Sequence, residues 1–219
     1  MEIVFLGMNE AGEKALKWLN KREDVDVDAV IEKKENLKKI RKIRPDLVVS
    51  SGFEHKVPKE VIEIPEKGIV NLHPSLLPYN RGAHPYIWTL IEDTPAGVSM
   101  HFMNEEMDEG RIIAQKRVEK RPEDNAKSLR KRLMKAQADL FKENWEKILV
   151  SEAREQELEK GNVHYKKNLD EVSRLDLDKE MKMGDVLDLL RGLTYGNKKL
   201  AYFDEAGERY YVGLDIEKE

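Results

Sequence analysis

The sequence predicts an α/β fold: a doubly wound, mostly parallel sheet, followed by a small C-terminal α+β extension that ends in a β-hairpin. Three observations carry this expectation. Short apolar runs alternate with amphipathic helical stretches as far as Leu72, the rhythm of parallel strands joined by helical crossovers. From Gly97 onward, residues alternate between apolar and polar with period two, as in strands whose two faces differ. Near the C-terminus, two strand-like runs flank Asp204-Glu205-Ala206-Gly207, a turn sequence suited to a hairpin.

Each element follows from its pattern. Glu2–Leu6 reads as a buried strand, and Gly7-Met8-Asn9 leads into a helix whose apolar face is Ala11, Ala15, Trp18 and Leu19. The Gly7–Gly12 loop follows a strand and opens a helix, as dinucleotide sites do. It lacks the middle glycine of that fingerprint and the Gly-Lys-Ser/Thr of a P-loop, so it reads as a structural loop. Val25–Ile31 alternates apolar with acidic residues as a second strand. Lys33–Arg44 places Leu37, Ile40 and Ile43 on one stripe and turns a basic face to solvent. Leu47-Val48-Val49 is a third strand, ending at Ser50-Ser51-Gly52, and Ile69–Leu72 is the fourth. A helix over His84–Ile91 accommodates Pro85 in its first turn. Gly97–Met103 and Arg111–Val118 are strands. Asp124 or Asn125 caps a long helix carrying Leu129, Leu133, Leu140 and Ile148. Residues 151–182 are charged and weakly periodic, as a surface linker would be. Val186, Leu187 and Leu190 mark a short helix ended by Gly192. Leu200–Phe203 and Arg209–Ile216 supply the hairpin strands. The expected division is residues 1–150 as one catalytic domain and residues 151–219 as a linker with a small helix–hairpin extension.

Composition narrows the function. A chain of 219 residues with 40% hydrophobic residues can build a core of ordinary size. It has no cysteine, which excludes disulfides, thiolate nucleophiles and cysteine metal sites. No apolar run approaches the ~20 residues of a membrane helix, and the N-terminus enters a strand directly, so a soluble cytoplasmic protein is expected. The 37% charged residues, mostly Lys and Glu, suit a heat-adapted surface. The formal charge of −4 is concentrated after residue 150, which makes that part a poor partner for nucleic-acid phosphates.

The most informative stretch is Asn71-Leu72-His73-Pro74-Ser75-Leu76-Leu77-Pro78. Period two sends Asn71 and His73 to one face at the carboxyl end of a strand, where α/β sheets hold ligands. Pro74 then stops the strand. An amide donor beside an acid/base imidazole is half a site for acyl chemistry. Met107-Asp108-Glu109-Gly110 follows the strand ending at Met103. Gly110 permits a tight turn, and an Asp on such a loop can orient or deprotonate a histidine. His101, on an alternating strand, reads as a satisfied, partly buried histidine. His164 lies in a charged segment with no specific role assigned. Trp18, Trp88 and Trp145 fit core stripes.

Asn71-x-His73-Pro-Ser-Leu-Leu-Pro78, then Arg81-Gly82, then His101-Phe-Met-x-x-x-Met-Asp108-x-Gly110-x-Ile112-Ile113-Ala-Gln115 resembles the folate-dependent formyltransferase family, in order over roughly residues 1–120. Tyr79-Asn80-Arg81-Gly82-Ala83-His84-Pro85-Tyr86-Ile87-Trp88 is similar to the sugar N-formyltransferase branch, with Ala83 where that branch has Trp. The resemblance implies a Rossmann-like formyltransferase fold and transfer of a formyl group from 10-formyltetrahydrofolate to a primary amine, without metal. The acceptor it implies is a nucleotide-linked amino sugar. It assigns catalysis to Asn71, His73 and Asp108. It sets the pterin against Phe53, His55, Lys56 and Val57, with Met103 and Met107 on the other side, and the acceptor near Tyr79, Asn80, Arg81, Gly82 and Trp88. The hairpin is similar to that branch's short C-terminal extension, and its strand edge could pair in a homodimer. Other readings are a methionyl-tRNA formyltransferase-like enzyme, a glycinamide ribonucleotide formyltransferase, and a catalytically silent binding protein on the same scaffold. The loop Asn104–Arg111 departs from the usual family pattern at Glu106, Glu109 and Arg111.

Overall fold

The computed structural model describes all 219 residues. In chain order the elements are β1 (Glu2–Leu6), α1 (Glu10–Leu19), β2 (Asp26–Ile31), α2 (Lys38–Ile43, after a 3₁₀ turn), β3 (Leu47–Ser50), α3 (Lys59–Ile62), β4 (Ile69–His73), β5 (Arg81–Gly82), α4 (Pro85–Ile91), β6 (Gly97–Phe102) and β7 (Ile112–Arg117). They continue as α5 (Ala126–Glu143), α6 (Trp145–Leu149), β8 (Val163–His164), α7 (Lys166–Ser173), α8 (Met183–Gly192), β9 (Thr194–Tyr195), β10 (Lys198–Lys199), β11 (Ala201–Glu205) and β12 (Glu208–Val212).

The main sheet has the order β2-β1-β3-β4-β6-β7. Its first four strands are parallel; β6 runs antiparallel to β4, and β7 antiparallel to β6. Side-chain alternation divides the core between the two faces. Ile3 and Phe5 of β1 join Leu133, Phe141 and Trp145 on the face covered by α1, α5 and α6. Val4 and Leu6 join Ile40 and Val61 on the face covered by α2 and α3. All of these side chains are buried.

Asn125 is the cap of α5. Its side chain accepts from the Lys127 and Ser128 amides, and Ser128 Oγ accepts in return from the Asn125 amide. Asp124 behind it is buried and ion-paired with Arg132. The helix is shorter than its apolar stripe suggests. Asn144 turns its amide back onto Leu140 O (3.0 Å) and ends α5, because such a side chain competes for the helix carbonyls. Ile148 then belongs to α6. Trp145 closes the junction edge-on to Trp18 and Phe141, with ring centroids 5.6 and 5.4 Å away.

Residues 151–182 are more ordered than a surface linker. Arg154 exchanges both backbone hydrogen bonds with Ile112 (2.9 and 2.7 Å), β8 pairs with β5, and α7 packs Leu169 and Val172 against the larger core. The helix α7 offers just these two apolar side chains in eight residues, too few for a periodic signal. In the terminal hairpin, Ala206 and Gly207 both have positive φ (51° and 83°), the geometry of a tight turn matched to strand twist. No helix is long and apolar enough to cross a membrane.

Phe141 is fully buried between Trp18 and Trp145. Phe141→Ala is expected to lower the unfolding free energy by about 3–5 kcal/mol. Urea unfolding checks this, and the shift should appear in the midpoint with the slope preserved.

Candidate active site

Strand β4 delivers Asn71 and His73 to its carboxyl end on the same face, while Val70 and Leu72 point into the larger core. Pairing with β6 sets His101 directly opposite Asn71, and cross-strand partners share a face of the sheet. Asp108 comes from the turn between β6 and β7, with φ of 54°, a left-handed conformation that Asp tolerates better than most residues. Its carboxylate sits at the centre of the group. Oδ2 accepts from the Gly82 amide at 2.8 Å and lies 3.4 Å from His73 Nδ1. Oδ1 accepts from Asn71 Nδ2 at 3.3 Å and lies 3.4 Å from His101 Nε2. The folded chain therefore brings Asn71, His73 and Asp108 together.

His101 joins them. It is 1% exposed, more buried than the sequence suggested, and Nδ1 donates to Phe102 O at 2.9 Å. His101 Nε2 lies 3.2 Å from Asn71 Nδ2 and 3.4 Å from Asp108 Oδ1. The amide nitrogen of Asn71 sits between that ring nitrogen and the Asp108 carboxylate, which orients it. His73 Nε2 lies 3.2 Å from Asn80 O, so both ring nitrogens of His73 face oxygen atoms.

The electrostatics follow from burial and these contacts. Burial pushes the His73 imidazole below its ordinary pKa, and the nearby Asp108 carboxylate and Asn80 carbonyl oppose the shift. Burial would push Asp108 upward, but His73, His101 and the Gly82 amide together hold it well below the usual carboxylate range. Asp108 is a buried anion with a full set of partners.

The loop from Tyr79 to His84 supplies the Gly82 amide, and most of its side chains serve to hold it. Arg81 is buried and ion-paired with Glu109. The Asn80 amide fits with its oxygen toward the hydroxyls of Thr89 and Thr94 (3.0 and 2.6 Å) and its nitrogen toward Glu92 (3.2 Å). Trp88 is buried and stacks on His164 at 3.9 Å and 6°, and His164 Nε2 lies 3.0 Å from Glu92. Asn80, Arg81 and Trp88, expected near the acceptor, have their side chains engaged by protein groups in the free chain. Tyr79 and Gly82 are half-buried.

Beside the trio, two loops form a wall. Asn9 accepts from Gly12 N and Ser51 Oγ, both at 2.9 Å. Gly7, at φ 72°, lets the Phe53 backbone approach so closely that any Cβ would collide with it. Val57 is buried, and Phe53 and Met103 pack partly buried on the smaller core. His55 meets Phe53 edge-on at 5.4 Å; His55, Lys56 and Met107 are exposed. A cleft of 490 Å³ opens past Met103, lined also by Lys59, Ile62 and Glu105. A larger cleft of 590 Å³ lies between β7 and the α5–α6 junction, and none of the trio lines it. Phe53, Val57 and Met103 share the smaller apolar cluster, and Met103 lines the cleft beside it.

Sequence reasoning missed the Gly82 amide, the place of His101, and Gln156, whose Nε2 donates to Asp108 O (2.9 Å) and Gly110 O (2.6 Å). The position of His101 follows from strand register and could be found once β4 and β6 were paired. Gln156 carries no sequence signal.

Comparison with known proteins points to one family. Residues 13–144 match the family described as formyl transferase, and residues 168–218 match the N-formyltransferase dimerization C-terminal domain. The dTDP-4-amino-4,6-dideoxyglucose formyltransferase of Mycobacterium tuberculosis is 32% identical over 180 residues, spanning 80% of this chain and 75% of that one. The crystal structure of a 4-N formyltransferase from Francisella tularensis has a TM-score of 0.90 at 27% identity, covering 100% of this chain and 98% of that chain. A formyltransferase from Anoxybacillus kamchatkensis, solved with UDP-4,6-dideoxy-4-formamido-L-AltNAc and tetrahydrofolate, has a TM-score of 0.69 at 27% identity, covering 78% of this chain and 89% of that chain. The fold, the order of the motifs and the matched residues all lead to one statement: this chain belongs to the formyl transferase family.

Proposed function

We propose that the enzyme formylates the amino group of a nucleotide-linked amino sugar, with 10-formyltetrahydrofolate as donor. The observation that carries this reading is the convergence of Asn71, His73 and Asp108 around one point at the end of β4. The acceptor class is supported by the Arg81–Trp88 sequence, by the names of the relatives and by the UDP-sugar bound in the Anoxybacillus enzyme.

Bound 10-formyltetrahydrofolate would supply the formyl carbon, and Phe53, Val57, Met103 and Met107, with His55 and Lys56 at the rim, would hold its pterin. The chain's own residues do the rest. Asn71 Nδ2 makes long contacts, 3.2 and 3.3 Å, so one hydrogen can turn to the negative charge growing on the formyl oxygen. His73 Nε2 is the second donor to that oxygen, with Asn80 O holding its hydrogen until then. Such donors are typically worth ~3–4 kcal/mol each in the transition state. Asp108, fixed and ionised, keeps His73 oriented and accepts the proton released as the amine forms its new bond. As the bond between the formyl carbon and the folate nitrogen breaks, that proton passes through the same pair to the departing nitrogen. Asn80, Arg81 and Trp88 brace the loop, and Tyr79 and Gly82 form its acceptor side.

A homodimer and a cytoplasmic setting belong to this proposal. The dimer is supported by the C-terminal match and by the exposed Tyr210 and Tyr211 on β12. A tRNA acceptor is the second reading, and the acidic balance beyond residue 150 weighs against it.

Incubation with 10-formyltetrahydrofolate and a panel of nucleotide-linked amino sugars should yield a product heavier by one formyl group; no product with any of them refutes the acceptor class. A low-salt gel shift with initiator tRNA should show no complex. Asn71→Ala should lower kcat by about 10²–10³, and His73→Ala should abolish turnover while near-native circular dichroism persists.

Stability should also fall on the acid side. His73 has a folded pKa below its unfolded value, so its contribution is present above pH of about 6.5 and is lost as pH falls. Asp108 is likewise depressed, and its contribution is present above pH of about 4 and is lost below that. In urea unfolding from pH 8 to pH 3, the gap between wild type and Asp108→Asn should therefore narrow below pH of about 4. A gap that stays constant or widens there means the carboxylate is not stabilised in the fold.

A further inference from the structure

Residues 145–167 lie between the two stretches that match family domains. Part of this segment holds the Asp108 turn on one side and the Gly82 loop that binds its carboxylate on the other. On one side, the Gln156 amide donates both hydrogens to carbonyls of the Asp108 turn, Asp108 O at 2.9 Å and Gly110 O at 2.6 Å. Gln156 Oε1 is buried without a partner. Turning the amide over would set oxygen against two oxygens, so its orientation is fixed. Two residues earlier, Arg154 is locked in register with Ile112 by a pair of backbone hydrogen bonds, which delivers Gln156 to the turn.

On the other side, Asn162 O accepts from the Arg81 amide at 3.0 Å and His164 O accepts from the Ala83 amide at 2.8 Å. These bonds bracket Gly82, whose amide holds Asp108 Oδ2. A Cβ on Gly82 would run into His164 O, so the strands meet at van der Waals limits. The His164 ring is clamped between Trp88 and Glu92.

We propose that residues 154–164 form a strap that positions Asp108, with Gln156 as its chief positioning residue. The proposal rests on the catalytic reading of Asp108 above. It moves this stretch functionally into the catalytic unit, beyond the boundary at residue 150. The reason is conformational. Asp108 is held at a positive φ, and such a conformation persists only where its surroundings over-determine it. Gln156 binds the carbonyl of that residue and of the one two positions on. Without it, the turn can relax and swing the carboxylate away from His73.

The test uses three variants of the full chain. Gln156→Met keeps length and removes both donors. Gln156→Lys keeps a donor that can reach both carbonyls. Gln156→Glu sets an anion against them. His73 is followed by NMR titration of the ring protons in the free protein, and kcat and KM are followed for formyl transfer. In Gln156→Met and Gln156→Glu, His73 should titrate at lower pH than in wild type, because the stabilising carboxylate has moved. In the same variants kcat should fall at least tenfold, with both KM values within threefold of wild type. Gln156→Lys should return both readouts toward wild type. An unchanged His73 titration in Gln156→Met, a kcat within threefold of wild type, or equal losses in the Met and Lys variants overturns the proposal. The titration needs no substrate. An inactive wild type would count against the functional reading, and an unshifted His73 against the strap.

Discussion

The hydrogen bond from the Gly82 amide to the Asp108 carboxylate, 2.8 Å long, is the contact on which the rest of the site depends. A carboxylate taken out of water is costly unless fixed dipoles and charges replace the solvent. Here one backbone amide, one side-chain amide and two imidazoles do so. The backbone amide is the member that cannot reorient alone, because the surrounding loop must hold its whole peptide plane. This explains why Asn80 and Arg81 of that loop are interior, Arg81 against Glu109 and Asn80 among Thr89, Thr94 and Glu92, with Trp88 of the following helix under His164. These side chains act on the chemistry through the direction of one N–H bond.

The sheet supplies the other half of the constraint. β4 is the strand where pairing changes from parallel, with β3, to antiparallel, with β6. A helical crossover brings β4 in, while β6 returns along it from the opposite direction. Asn71 lies opposite His101 on β6 as well as Ser50 on β3. β6 ends beside the start of β4, where Met103 N donates to Ile69 O, and the turn that follows folds back along β4 to set Asp108 beside Asn71 and His73.

Much of this was legible in the sequence, and the limits have physical causes. β1, β3 and β4 were readable because buried parallel strands are continuous apolar runs bounded by turn residues, as in Ile3–Leu6 and Leu47–Val49, and β2 because its apolar and acidic residues alternate as an edge strand's do. Asn71 and His73 could be assigned to one face because strand periodicity fixes it. Bringing Asp108 to them required the family resemblance, since no local rule connects a turn to a distant strand end. The inward placement of Asn80 and Arg81 was not legible. Polar side chains usually face water, and these are buried because partners from α4 and the Asp108 turn meet them. His164 and the short helix α7 were lost in a charged segment whose order comes from tertiary pairing. Gln156 is the extreme case: its whole role lies in two hydrogen bonds made after the chain has crossed back over the site.

The departures of the Asn104–Arg111 loop from the usual family pattern can be understood in the same terms. Of the departing residues, Glu109 meets Arg81 and Arg111 lies over the Phe102 ring at 5.7 Å, while nothing in the structure explains Glu106. Beside them, Glu105 meets Lys59 of α3. None of them contacts Asn71, His73 or His101. The pair Glu109–Arg81 joins the turn that carries Asp108 to the loop that carries Gly82, the two parts whose relative position the central hydrogen bond requires. An exposed pair of this kind would add little, but the Arg81 side chain is 8% exposed and that of Glu109 26%, so the link is shielded from solvent competition. The Glu109–Arg81 pair therefore helps keep the Asp108 carboxylate over the Gly82 amide.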